Sequence, residues 1–176
     1  MIENETISSI PQIVENATTL CYTAGMSERI TPAQLTAWRL FITSHATLIE
    51  QIDRELSAAH CVPLQWYDVL VELHEAPDRR LRMAELARRV VLSRSSLIHL
   101  ADRLEREGLL TRERVDTDRR GAYAVLTDQG YQALRAAWPI YARGIAQHFS
   151  RYLTDEDIQT LTDIFQRLLT AGLAED

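Results

Sequence analysis

The chain has 176 residues, 46% hydrophobic and 25% charged, with a net charge of −6. That is enough for one sizeable domain and short for two independent ones, and nowhere do about eighteen apolar residues follow one another as a membrane span requires. Two cysteines make no disulfide framework, and all 19 basic residues are arginine, a planar and permanently charged fork suited to phosphates and guanine edges.

The start, MIENETISS, has neither the basic region nor the apolar core of a secretory signal, so a cytoplasmic protein is expected. Residues 1–30 are predicted as an N-terminal arm or short helix. Ile10, Ile13, Val14, Ala17, Leu20 and Cys21 fit one face, but Pro11 and Gly25 interrupt it. Thr31-Pro32 then opens a long helix, with Thr31 as cap and Pro32 at the first helical position, where a missing amide donor costs nothing. Leu35, Trp38, Ile42, Leu48, Ile49, Ile52 and Leu56 carry its apolar stripe to near His60. After Pro63 a shorter helix, Leu64 to Ala76, carries Trp66, Val69, Leu70 and Leu73. The polar turn from Pro77 to Arg80 leads Leu81 into a short strand.

Met83, Leu86, Ala87 and Val90 recur every three or four residues, the mark of a short amphipathic helix. Ser93 caps a second one, in which Leu97, Leu100, Ala101 and Leu104 share a side and which Gly108 closes. The pair reads as a helix-turn-helix. Arg94, Ser95, Ser96, His99 and Arg103 lie off the leucine side of the second helix, free to meet a partner. A helix fits the DNA major groove, where arginine pairs with guanine and serine donates or accepts.

Leu109 to Val115 and Gly121 to Thr127 then change period to that of strands, separated by the five polar residues Asp116 to Arg120. This hairpin would project as a wing with a basic tip, bearing Arg112, Arg114, Arg119 and Arg120. Between Arg79 and Arg120 twelve arginines face seven acids, a net +5, while the rest of the chain is −11. An acidic protein with a locally basic module still binds DNA, because backbone attraction depends on the contacting surface.

The run RMAELARRVVLSRSSLIHLADRLEREGLLTRERVDTDRRGAYAVLTDQG resembles the winged helix-turn-helix of the MarR family of bacterial transcription regulators. Its most specific parts are Leu104-Glu105-Arg106-Glu107-Gly108-Leu109-Leu110, Asp116-Thr117-Asp118-Arg119-Arg120 and Val125-Leu126-Thr127-Asp128-Gln129-Gly130, in that order. The resemblance implies that the second helix enters the major groove, with Ser95, Ser96, His99 and Arg103 on the groove side, and that the wing reaches an adjacent minor groove. It matches Asp118 and Arg120 to the wing's acid and arginine, the acid orienting a DNA-facing arginine. Thr117 departs from the proline common there.

Thr127 is predicted to cap a helix from Asp128 that carries Tyr131, Leu134, Trp138, Ile140, Tyr141, Ile145 and Phe149, with Pro139 as a kink point. Thr154 and Asp157 make a capping-box-like start to a last helix, in which Ile158, Leu161, Phe165, Leu168 and Leu169 extend one face to near Gly172. The expected fold is mostly α with a small β wing: a winged helix-turn-helix over 61–127, with N- and C-terminal dimerisation helices over 31–60 and 128–172. These ends carry more apolar surface than a small winged domain needs, so a homodimer is the economical reading.

The expected function is a dimeric repressor of double-stranded operator DNA, released by a small aromatic or phenolic effector of the kind the family resemblance implies. Arg39, His45, Trp66, Tyr67 and His74 are the candidate effector pocket, set against the plain alternatives of core aromatics and surface histidines. Two other readings stand beside this one: a winged-helix protein-interaction module without specific DNA binding, and an oxidant-sensing regulator using Cys21 or Cys61. His45, His60, His74, His99 and His148 show no compact ligand spacing, and Ser95 or Ser96 beside His99 lacks a nucleophile elbow. No metal, cofactor, membrane or enzymatic role is expected.

Overall fold

A computed structural model describes residues 30–115 and 118–173. Helix α1 is Pro32–Ala58, α2 Leu64–Glu75, α3 Met83–Arg89, α4 Arg94–Arg106, α5 Asp128–His148 and α6 Asp155–Leu173, and strands β1 Arg80–Arg82, β2 Leu110–Val115 and β3 Asp118–Leu126 form one antiparallel sheet in the order β1-β3-β2. The chain is mostly helical with a small β wing, as expected. The predicted N-terminal arm, with Cys21, lies outside the described residues apart from Ile30. No described helix is long and apolar enough to cross a membrane.

The chain divides into two compact units, 1–48 and 49–176, at a point within α1. In the first, Thr31 and Gln34 make a reciprocal capping box: Gln34 N donates to Thr31 Oγ1 at 3.2 Å and Thr31 N to Gln34 Oε1 at 2.8 Å. Trp38, Leu40, Phe41 and Ile42 of this unit are exposed, and the Trp38 and Phe41 rings lie 6.1 Å apart.

The second unit is built on one leucine-rich core. Leu56 of α1, Leu70 and Leu73 of α2, Leu86 of α3, Leu97 and Leu104 of α4 and Leu110 of β2 are at most 1% exposed. Fully burying such a side chain is worth about 2 kcal/mol, so the apolar stripes at helical spacing decide which side of each helix faces inward. Pro63 stands at the start of α2 without a side-chain cap, and Asp53 of α1 takes that role by accepting the Leu64 amide at 2.8 Å. α5 runs through Pro139 without interruption. Along α6, Thr154 and Asp157 exchange hydrogen bonds as the predicted box, with Thr154 N to Asp157 Oδ2 at 2.9 Å and Asp157 N to Thr154 Oγ1 at 3.2 Å.

Three helices end in the same way. The amides of Cys61, Leu92 and Leu109 reach back to Leu56, Ala87 and Leu104 at 2.9, 3.0 and 2.8 Å, and those of His60, Val91 and Gly108 to Ser57, Arg88 and Glu105. This double closure needs a left-handed residue just past the helix, and the φ values there are 55° at His60, 52° at Val91 and 71° at Gly108. Glycine adopts that conformation freely; a β-branched valine does so at a cost. Val91 gains no packing in return, being 87% exposed. Val91→Asn is therefore expected to stabilise the protein by about 1 kcal/mol, read as a higher urea midpoint at unchanged slope. A lower midpoint would show that the valine is not strained.

Candidate nucleic-acid interface

The turn between α3 and α4 is secured at both ends. The closure at Val91 finishes α3, and Ser93 Oγ accepts the Ser96 amide at 3.1 Å to start α4. Ser93 Oγ also lies 3.0 Å from Ser95 Oγ and 2.8 Å from Ser96 Oγ, so three hydroxyls share one cap. With Leu97, Leu100, Ala101 and Leu104 buried, the helix turns Arg94, Ser95, Ser96, His99 and Arg103 outward, and all five are exposed. This is the arrangement predicted for a helix that meets a groove.

Among the described residues, one ion pair crosses from α3 to α2, and two more lie within α3. Glu85 bonds Arg88 and Arg89, and Arg89 reaches Glu72 at 3.5 Å. The Arg89 hydrogen bond holds the Glu85 carboxyl below its ordinary range against the cost of desolvation, with the charges of Arg88 and Arg89 and the Arg88 hydrogen bond adding to it. Arg79 lies over the Tyr131 ring at 4.6 Å and 3.6 Å from Asp128, while Arg80 pairs with Asp78 and Glu113. Much of the positive charge counted in the sequence is thus spent inside the domain. Arg94, Arg103 and Arg114 differ: none of their side chains makes an ion pair or hydrogen bond with another described residue, and all three are exposed.

The wing departs from the expected hairpin. β3 begins at Asp118, and Val115 pairs with Asp118 across a register irregularity between Arg114 and Val115. Two residues, not five, therefore separate the strands, and Asp118, Arg119 and Arg120 belong to β3. A polar run reads as loop in a sequence, yet a strand is made by backbone pairing, which side-chain polarity does not forbid. Leu81 pairs with Ala124, which joins the predicted short strand β1 to the wing.

Arg112 is also placed differently from a free DNA contact. Its Nη2 donates to Asp102 Oδ1 at 2.6 Å and to the Ile98 carbonyl at 3.2 Å, its Nε lies 3.7 Å from Glu105, and its own amide donates to Glu105 at 3.1 Å. The side chain is a strut from β2 to α4, not an open fork. Asp102 and Glu105, which sequence reasoning passed over, are its anchors. Beside the strut, Arg82, Met83, Arg94, Leu97, Ile98 and Ala122 help line a groove of about 410 Å³.

The Leu-Thr-Asp-Gln-Gly segment is a clamp. Thr127 Oγ1 donates to the Gly108 carbonyl at 2.7 Å and accepts the Gly130 amide at 3.0 Å, and Gln129 Nε2 donates to the Glu107 carbonyl at 3.0 Å. The end of α4 is tied to the start of α5, so the wing returns to a fixed point.

The five candidate pocket residues fall in both units. Arg39 and His45 belong to residues 30–48, where His45 lies against Phe41 at 6.5 Å between rings. In the second unit Tyr67 is a core residue, 4% exposed, with its ring 4.7 Å from that of Tyr141. Burial pushes its phenol above the ordinary range, and Tyr141 and the Asp68 and Glu75 carboxylates push the same way. Trp66 packs partly buried against the core, and His74 is exposed beside Tyr131 at 5.1 Å. Cys61 is half-buried, with its thiol 3.7 Å from the Ala59 and Ala136 carbonyls.

Comparison with known proteins agrees with this architecture. The pattern of the MarR family matches residues 62–121. The HTH-type transcriptional regulator YkoM of Bacillus subtilis, itself uncharacterised, is 32% identical over 124 residues, which are 70% of this chain and 79% of that protein. Sco3205 of Streptomyces coelicolor, a MarR family transcriptional regulator solved in complex with DNA, superposes with a TM-score of 0.77 at 36% identity, covering 85% of this chain and 93% of that one. AbsC, a MarR family transcriptional regulator of the same organism, gives 0.75 at 30% identity, with 85% and 100% covered.

Proposed function

The chain belongs to the MarR family of winged helix-turn-helix transcriptional regulators, and on that premise we propose that it is a homodimeric repressor of a pseudo-palindromic operator, released by a small aromatic or phenolic ligand. The observation that carries the DNA reading is α4: a helix whose apolar side is wholly spent on the core and whose other side presents Arg94 and Arg103 without internal partners. The Sco3205 structure, with DNA bound, supports the same reading.

The reader is residues 61–127, and residues 31–60 and 128–172 are the dimerisation region. No residue of α6 up to Ala171 is buried, while Ile158, Leu168 and Leu169 on it are exposed. An uncovered apolar helix face of this kind is expected to meet a second copy. Two reading helices about 34–36 Å apart would then enter successive major grooves. An effector releases the operator only by binding the two dimer conformations unequally. Arg39 and His45 in the first unit, and Trp66, Tyr67 and His74 in the second, remain the residues to test for that ligand. The cytoplasm, where operator DNA is found in a bacterium, is the proposed location.

A winged-helix module that binds protein alone predicts no specific DNA complex. Oxidant sensing through Cys61 has less support, because the thiol is half-buried and faces two carbonyls. The test is binding to the DNA upstream of the protein's own gene, with scrambled DNA and a salt series as controls. Arg103→Ala and Arg120→Ala are each expected to weaken operator affinity about tenfold while the dimer stays folded, and Arg151→Ala to leave it unchanged. Equal affinity for scrambled DNA, or full binding by both variants, would reject the reading.

A further inference from the structure

We propose that Ile98 reads the C5-methyl group of a thymine in each half-site, so that α4 recognises sequence through an apolar contact as well as through its arginines. This rests on the operator reading above and adds to it a residue that the polar-face argument omits.

Ile98 is 44% exposed, whereas its neighbour Leu97 is 1% exposed. The core stripe of α4 is therefore complete without it. Arg94 stands one turn before Ile98, and Ser95 and His99 flank it on the outward side. Its main chain is also held: the Ile98 carbonyl accepts Arg112 Nη2 at 3.2 Å, and the same nitrogen pairs with Asp102 at 2.6 Å. A branched apolar side chain is thus presented from a braced turn of the helix, at the edge of the groove it shares with Arg94 and Arg112.

In the major groove the one apolar group on a base edge is the thymine methyl, and apolar side chains discriminate by contact with it. A polar residue at position 98 would serve a phosphate or a base heteroatom; isoleucine serves neither. The wing-side placement predicts a thymine next to the base pairs that Arg94 reaches.

The test uses the footprinted operator duplex with each thymine replaced in turn by deoxyuridine, which keeps its pairing and lacks only the methyl. For the wild-type dimer, one symmetry-related pair of positions is expected to lose about fourfold in affinity per half-site, and about fifteenfold when both are changed. Ile98→Ala is expected to weaken binding to the thymine operator and to abolish the deoxyuridine effect at that pair alone. Ile98→Val, which keeps the branch, should retain part of it, and melting curves of both variants confirm that the fold is intact. Specific operator binding with no penalty at any thymine would overturn the proposal and leave the regulator reading standing. A full penalty in Ile98→Ala would also overturn it. Failure of the wild-type protein to prefer the operator over scrambled DNA would overturn both.

Discussion

Gly130→Ala is expected to destabilise the winged unit severely, with a loss of about 4 kcal/mol in unfolding free energy. A Cβ at this position would overlap the Leu109 carbonyl oxygen and come within 2.8 Å of Leu126 Cδ1. Flexible side chains yield to an added methyl, but this obstacle is main chain and it is held in place. The Leu109 carbonyl accepts the Thr127 amide at 3.3 Å, the Leu109 amide closes α4 on Leu104 at 2.8 Å, and Thr127 joins the Gly108 carbonyl to the Gly130 amide. Moving one strand of this clamp breaks the others. Because the stability of an ordinary domain is about 5–15 kcal/mol, the loss removes a large part of the total. Urea unfolding measures it directly. Gln129→Ala is the control: it removes one exposed hydrogen bond, from Nε2 to the Glu107 carbonyl, and is expected to cost no more than about 1 kcal/mol. A Gly130→Ala variant as stable as Gln129→Ala would show that α4 and α5 are not in contact as described.

The second large effect is expected at Arg112. If the side chain is a strut, Arg112→Ala lowers the unfolding free energy by about 2 kcal/mol, since it leaves Asp102 without its partner and removes the packed stem. The pair is not deeply buried, the side chains being 27% and 45% exposed, so the larger penalty of a desolvated ion pair does not apply. Operator affinity then falls because the wing no longer holds its angle to α4. A phosphate contact predicts the reverse: unchanged stability, and a salt dependence of binding reduced by about one unit of slope. Arg112→Met separates charge from packing, because it keeps an apolar stem of similar reach. Unchanged melting together with a reduced salt slope would return Arg112 to the DNA surface.

Arg112 shows why part of the interface was illegible from residue order. An arginine on a basic hairpin looks like a ligand for phosphate, and residue order does not say which side of the hairpin faces the preceding helix. The register does: Arg112 pairs with the buried Ala124, on the face that carries Leu110 and Leu126 toward the core. The wing's turn was overestimated for a related reason. Strand pairing is made by the backbone, so a strand of polar residues carries the same mark in sequence as a loop.

Helix ends were legible where a side chain caps its own helix. Thr31, Ser93, Thr127 and Thr154 all cap as expected, since the donor and acceptor lie within three residues of one another. They were illegible where the cap comes from elsewhere, as Asp53 does for α2, or where His60 and Val91 take the left-handed place usually given to glycine.

By itself, the order of residues determined the helix-turn-helix, its apolar and outward sides and the family, because periodicity and capping act between near neighbours. Tertiary structure alone decided which arginines keep their charge for a partner. Arg94, Arg103 and Arg114 do, while Arg79, Arg80, Arg89 and Arg112 are paired with acids on other elements. Electrostatic pairing depends on distance in space, and folding brings Asp102 to Arg112 and Glu72 to Arg89 across 10 and 17 residues of chain.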